Sequence, residues 1–233
     1  MADLPPLISI LIPVYNGARF LHETLESVVR QTYPALDIIV VDDGSTDASA
    51  DIVRSFPQIR YFHQPNQGVA SARNHALRQA AGDYVALIDQ DDLWPAEKLA
   101  IQAAFLEAHP EIAYVIGHEK TFLSADVPPA PWMTEHYLEE SRPGYLTGTL
   151  LVRRKIFEKI GFFDAGYRTA DDFDWFTRAR DMNVPMRLLP EVALYKRHHQ
   201  QNLSHATQSL IDERFTILRS QIARHRLSSP HPA

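Results

Sequence analysis

The chain of 233 residues has no cysteine, which excludes disulfides and thiolate-ligated metal centres. It has no run of about 18 apolar residues, so no transmembrane helix is expected. Positive charge is in deficit: 23 Lys and Arg stand against 29 Asp and Glu, a formal net charge of -6. That balance argues against a nucleic-acid-binding surface, which needs a basic field. Met1-Ala2-Asp3-Leu4-Pro5-Pro6 has neither a basic segment nor a long apolar one, so no secretory signal is expected and the protein reads as cytoplasmic. Glycine is sparse, and the turn after the first apolar run, Pro13-Val14-Tyr15-Asn16-Gly17, carries only one. The G-x-G-x-x-G dinucleotide fingerprint is therefore missing there, and no Gly-Lys-Ser/Thr phosphate loop occurs. Phosphates, if bound, fall to a metal rather than a glycine cradle.

What the chain does have is apolar material, 45% of residues, enough for a sizeable core. The first half alternates strand and helix patterns. Ile8 to Val14, Ile38 to Val41, Ile59 to Phe62 and Tyr84 to Ile88 read as buried parallel strands. Between them lie a helix with Leu21, Leu25 and Val28 on one face, a short helix over 47–55, and one with Val69, Ala72, Ala76 and Ala80 inward. Pro95 suits the first turn of a fourth helix, with Ile101, Phe105 and Ala108 grouped. This order predicts an α/β fold: a mostly parallel central sheet with helices on both faces.

The second half is less regular. Strands are expected at Ile112 to Ile116 and Thr149 to Val152, and a short helix at Lys155 to Ile160 closed by Gly161. A further helix is expected at Asp172 to Met182. Residues 123–145, with Pro131-Trp132, read as a long loop with one helical turn. Ile211, Phe215, Leu218 and Ile222 make a helical stripe near the C-terminus. Arg219, Arg224, His225 and Arg226 read as a solvated helix end, leaving at most peripheral membrane association.

Two apolar strands end in acids, Val40-Val41-Asp42-Asp43-Gly44-Ser45 and Ile88-Asp89-Gln90-Asp91-Asp92. In an open α/β sheet, ligands bind at the carboxyl ends of strands. One Asp at such a place serves as a helix cap, and Asp47 reads that way. Three carboxylates in four residues repel one another without a cation. A receiver domain also carries strand-end acids but needs about half this length.

The residues resemble the family 2 inverting glycosyltransferases of the GT-A fold over roughly residues 6–205. The pieces are Ile12-Pro13-Val14-Tyr15-Asn16-Gly17, Gln31-Thr32-Tyr33-Pro34, Val40 to Asp47, Asn66 to Asn74, Leu87 to Asp92, Gly161-Phe162-Phe163-Asp164 and Asp171 to Trp175. A D-x-D triplet alone is unspecific; six or seven pieces in family order are not.

The resemblance implies a nucleotide-sugar half over residues 1–118, an acceptor and catalytic-base half over 119–205, and a C-terminal helix and tail over 206–233. It implies that Pro13, Val14 and Tyr15 line the nucleoside pocket, that Asp43 receives the base of a UDP-sugar, and that Arg73 lies near base or phosphates. Arg73 could alternatively be a salt bridge to the acid cluster. Asp89, Gln90 and Asp91 match the D-x-D motif, Asp89 toward ribose or metal and Asp91 toward Mn²⁺ or Mg²⁺. Asp92 orients that shell or caps the next helix. In the Asp171-Asp172 pair, Asp172 is the base toward the acceptor hydroxyl; many relatives carry Glu at the position of Asp171. Asp174 is structural or acceptor-facing, and Gly148 lies where the donor sugar is selected. A late histidine completes the metal shell. Counting from Tyr195 favours His198, and counting back from Asn202-Leu203-Ser204 favours His199, the preferred choice. Implied partners are a nucleotide-sugar and a carbohydrate or lipid-linked acceptor. A catalytically silent nucleotide-sugar-binding module is the alternative. A nucleotidyltransferase would carry a glycine-rich, Arg-containing loop that this chain lacks.

Overall fold

The computed structural model describes residues 4–125, 127–130, 133–200, 202 and 207–228, with side chains up to residue 222 in the last segment. Residues Met1 to Asp3, Pro131-Trp132, Leu203-Ser204 and the side chains of Arg224, His225 and Arg226 lie outside the described set.

Strands β1 (Ile8–Val14), β2 (Leu36–Asp42), β3 (Ile59–His63) and β4 (Tyr84–Leu87) form a parallel core in the order β3-β2-β1-β4. Helices α1 (Leu21–Val29), α2 (Ser49–Arg54), α3 (Val69–Gln79) and α4 (Lys98–Ala108) connect and flank them. The sheet continues antiparallel through β7 (Leu151–Arg153) to β5 (Tyr114–Leu123) and β6 (Arg142–Pro143), while β8 (Met186–His198) runs parallel to β5. Helices α5 (Glu135–Glu139), α6 (Ile156–Ile160), α7 (Asp171–Asp181) and α8 (Thr207–Ser228) complete the chain.

The unbroken apolar runs of β1 and β2 reflect burial on both faces. Ile8, Ile10, Ile12 and Val14 alternate onto the side packed by α1 and α4, while Leu11, Ile39 and Val41 point to the side of α3, α6 and α7. On the second side Trp175 is fully buried against Phe157, Phe163 and Phe176. Each such apolar side chain removed from water stabilises by about 1.5–3 kcal/mol. Gly161 adopts φ +90 at the end of α6, the left-handed conformation that suits a glycine stop.

Four expectations change. In α4 the buried face is Leu99, Gln102, Ala103 and Leu106; Ile101 and Ala108 are exposed, because burial of Lys98 and Gln102 against backbone carbonyls rotates the helix. The loop over 123–145 contains α5 and the two-residue strand β6. The stripe Ile211, Phe215, Leu218 and Ile222 faces outward, and among the described apolar side chains of α8 it is Ile217 that is buried. Most consequentially, β8 was not anticipated. Its pattern is broken by Pro190, which sits in a register shift opposite Gly117, where proline costs no ladder bond. Gly117 lets the shifted strand approach: a Cβ there would lie 2.5 Å from that of Ala193.

Parallel alignment of β1, β2 and β4 brings Tyr15, Asp42-Asp43 and Asp89 to one edge of the sheet. An antiparallel bridge between Leu93 and Tyr195 then lays the segment after β4 against the end of β8. No described helix is long and apolar enough to cross a membrane.

Candidate active site

The turn after β1 is tied to its neighbours through side chains. The Gln90 amide accepts from the Tyr15 N–H at 2.8 Å and donates to the Tyr15 carbonyl at 3.1 Å. Gly17 packs directly on that amide, leaving no room for a side chain. Asn16, at φ +48, receives Thr46 N–H on Oδ1 and donates its own N–H to Ser45 Oγ. Pro13 and Val14 are buried within β1, while Tyr15 is half-exposed at the mouth. Asp47 accepts the N–H groups of Ala18 and Ser49, joining this turn to the start of α2.

Asp42 and Asp43 are both buried and engaged. Asp42 accepts from Ser45 N–H and the Tyr61 hydroxyl. Asp43 accepts from the Gln64 amide at 2.8 Å and from the N–H groups of Gln67 and Gly68 at 2.9 and 2.8 Å, at the N-terminus of α3. A carboxylate has about four lone-pair positions. Asp43 thus holds the 64–68 loop and retains about one position for another donor.

Arg73, on α3, is fully buried and bridges the two halves. Its Nη2 donates to Asp89 Oδ1 at 2.6 Å and its Nη1 to Asp171 Oδ2 at 2.7 Å. Burial opposes its charge, but Asp171, Asp89 and Asp172 outweigh that and raise its pKa. The salt-bridge reading of Arg73 holds, and one guanidinium joins residues 82 apart. Its Nε is buried without a hydrogen-bond partner among the described residues.

Asp172 opens the first turn of α7. Its Oδ1 accepts the Phe173 N–H at 2.6 Å, and burial first, then the charge of Asp171, raises its pKa to about 6 against the opposing pull of Arg73. Asp174 turns away: Arg178 donates to it at 2.8 Å and also to the Ile160 and Phe162 carbonyls, fastening α7 to the end of α6. Gly148 lies in a 3-10 turn over Thr147–Thr149; its carbonyl accepts the Trp94 indole N–H, and a Cβ would lie 2.8 Å from Leu194.

At the other end of the site, Asp91 Oδ2 lies 2.8 Å from His199 Nε2. Of the two candidate histidines, His199 is the one that reaches Asp91; His198 ends β8, where its carbonyl accepts the Ser124 N–H. Asp92 is buried and accepts the Arg197 N–H at 2.8 Å, so it braces the segment rather than capping α4. Burial and the neighbouring Asp91 push its pKa well up. Thr24 of α1 places its hydroxyl 2.9 Å from the carbonyls of both Gln90 and Asp92.

Among the described residues no three His, Asp or Glu side chains form a complete metal cage. Asp91 and His199 supply two donors, and the Asp89 side chain is 43% exposed. A divalent cation completed by substrate phosphates and water needs one or two protein ligands, so the donor set fits such a shared ion.

Three participants escaped the sequence. Arg197 and Lys196 arrive on the unanticipated β8. Burial opposes the charge of Lys196, but Asp92, Glu119, Asp172 and Asp89 outweigh it and raise its pKa. Glu213, on α8, accepts the N–H groups of Arg168, Thr169 and Ala170 and so holds the turn that leads into Asp171-Asp172. Its only sequence signal was an acid on an otherwise ordinary helix.

Comparison with known proteins bears on the family and the fold. An uncharacterized glycosyltransferase of Rickettsia typhi is 32% identical over 221 residues, covering 89% of this chain and 69% of that protein. The chain spans between about a third and two-thirds of the length of the first curated relatives it matches. Among solved structures, TarS 1–349 of S. aureus in complex with UDP-GlcNAc has a TM-score of 0.74 at 24% identity, over 92% of this chain and 65% of that one. The mannosyltransferase PcManGT from Pyrobaculum calidifontis, in complex with GDP-Man and Mn²⁺, has a TM-score of 0.70 at 24% identity, over 99% and 67%. At that identity the likeness is one of fold. The family model of glycosyl transferase family 2 matches residues 9–173, and with this fold around it the chain belongs to that family.

Proposed function

We propose that this chain transfers a sugar from a UDP-sugar to an acceptor hydroxyl with inversion, in the synthesis of a cell-envelope polysaccharide or other glycoconjugate. The observation that carries the reading is the Arg73 bridge. It sets Asp89, on the leaving-group side, and the Asp171-Asp172 turn, on the acceptor side, on two nitrogens of one guanidinium. Names of fold relatives support the donor class, since those proteins were captured with UDP-GlcNAc and GDP-Man.

In this reading Tyr15, Pro13 and Val14 frame the nucleoside, with the remaining acceptor position of Asp43 toward the base. Asp91 and His199 hold Mn²⁺ or Mg²⁺, with Asp89 beside them, and the ion when bound offsets charge on the departing diphosphate. Asp172 takes the proton of the acceptor hydroxyl as that oxygen attacks the anomeric carbon from the face opposite the nucleotide. With a pKa near 6 it is ionised at neutral pH yet basic enough to accept that proton. Arg73 holds Asp171 at 2.7 Å and aligns it beside the base.

The test is transfer from UDP-sugars in Mn²⁺. Asp172→Asn is expected to lower kcat by about 10²–10⁴-fold while nucleotide binding persists. Transfer at the wild-type rate by a folded variant would remove the base assignment. Donor binding with neither transfer nor slow hydrolysis would instead favour a silent binding module.

A further inference from the structure

We propose that Arg197 is a positioning residue that presets the Asp91–His199 pair for its divalent cation; this rests on the reading of the site given above. Arg197 is 6% exposed, and its Nε and backbone N–H are spent on the segment after β4. Nε donates to the Asp91 carbonyl at 2.9 Å, and its own backbone N–H donates to Asp92 Oδ1 at 2.8 Å. Nη2 reaches Glu23 of α1 at 2.6 Å, and that carboxylate is 57% exposed. The guanidinium lies 4.6 Å from the Phe20 ring centroid and 4.7 Å from that of Phe122. Phe20 in turn packs on the His199 ring at 4.6 Å. One side chain therefore fixes the peptide that carries Asp91 and, through Phe20, the face of the imidazole that meets it.

The arrangement is poorly explained as a stability device. Burying a guanidinium is costly, and a mostly exposed carboxylate returns little of that cost. It is well explained as a support for two ligands. Outer partners of metal ligands orient them, and losing one lowers metal affinity by about 10–100-fold. The geometry also demands arginine. A planar fork serves Asp91 and Glu23 together, whereas a lysine ammonium is a single point on a flexible stem.

The test measures Mn²⁺ affinity with UDP present, from the electron paramagnetic resonance signal of free Mn²⁺, in wild type, Arg197→Lys and Glu23→Ala. Uridine affinity in EDTA and Tm are recorded beside it. Arg197→Lys is expected to weaken Mn²⁺ binding about 10–100-fold, and Glu23→Ala, which frees one end of the fork, about threefold, with uridine affinity unchanged. If wild type binds no Mn²⁺, the metal reading of the site fails and this inference with it. If wild type binds Mn²⁺ and both variants match it, the role of Arg197 is overturned while the site reading stands. A parallel loss of uridine affinity marks general loosening and also overturns it. If Arg197→Lys does not fold, Glu23→Ala decides, because its exposed side chain can be removed without opening the core.

Discussion

Asp172 stands between opposing influences, burial and Asp171 on one side and Arg73 on the other. The outcome, a pKa of about 6, has two consequences with definite sign. First, kcat/KM should fall below about pH 6 as the base takes up a proton. Asp171→Asn removes the like charge and frees Arg73, so that acid limb should move to lower pH; an unmoved limb in the folded variant would show that another group titrates. Second, a carboxyl whose folded pKa lies above its unfolded 3.8 binds its proton more tightly in the fold. Stability then declines as pH rises from about 4 through about 6. Asp172→Asn should therefore raise Tm at pH 7.5 and give no gain at pH 4, as differential scanning calorimetry would show. In the proposed role, the base is held at the expense of stability. The sequence named Asp172 through its neighbours, but only the fold supplies the burial and the guanidinium that set its pKa.

At the scale of elements, the turn that leads into Asp171-Asp172 depends on α8. Glu213 reaches the N-terminus of α7 and accepts three backbone N–H groups and the Thr169 hydroxyl. Those hydrogen bonds outweigh burial and lower its pKa below 4.5. For a depressed acid the stabilisation is present above the unfolded pKa and is lost as pH falls through the folded one. Glu213→Ala should cost about 0.5–2 kcal/mol at pH 7, as loss of a helix cap does. The difference from wild type should close as the pH falls into acid below the ordinary glutamate range, as urea unfolding across pH would reveal. Helix α8 was legible from its apolar stripe, yet the stripe faces solvent and Ile217 docks instead. Helical periodicity reports that a face exists; which face is covered depends on the partner surface. Strand β8 was illegible for a related reason. Lys196 and Arg197 are charged residues in a strand, and Pro190 interrupts it, so it lacks the apolar run that betrayed β1 and β2.

On the scale of the molecule, the parallel core gathers the turns after β1, β2 and β4 at one edge, and the end of β8 lies against the segment after β4. Among the described residues neither side holds a complete ligand set, so in the proposed reading the cation and the diphosphate should bind as one. A ligand at a hundredfold its Kd stabilises by about 2.7 kcal/mol. UDP with Mn²⁺ should therefore raise Tm well beyond the sum of UDP in EDTA and Mn²⁺ alone. Equal shifts for UDP with and without Mn²⁺ would detach the metal from nucleotide binding.

The order of strands and helices in the first half, the strand-end acids and the family were determined by the sequence alone. Buried parallel strands must be continuously apolar, and a run that ends in Asp89-Gln90-Asp91-Asp92 has few structural uses. The tertiary structure decided the division of labour among those acids. Asp42, Asp43, Asp92 and Asp174 serve neighbouring segments, Asp89 and Asp171 share Arg73, Asp91 meets His199, and Asp172 stays poised. A carboxylate is the same acid everywhere in a sequence. Its role follows from which donors surround it and how much water is left, and for Asp91, Asp92 and Asp171 those donors come from about a hundred residues away.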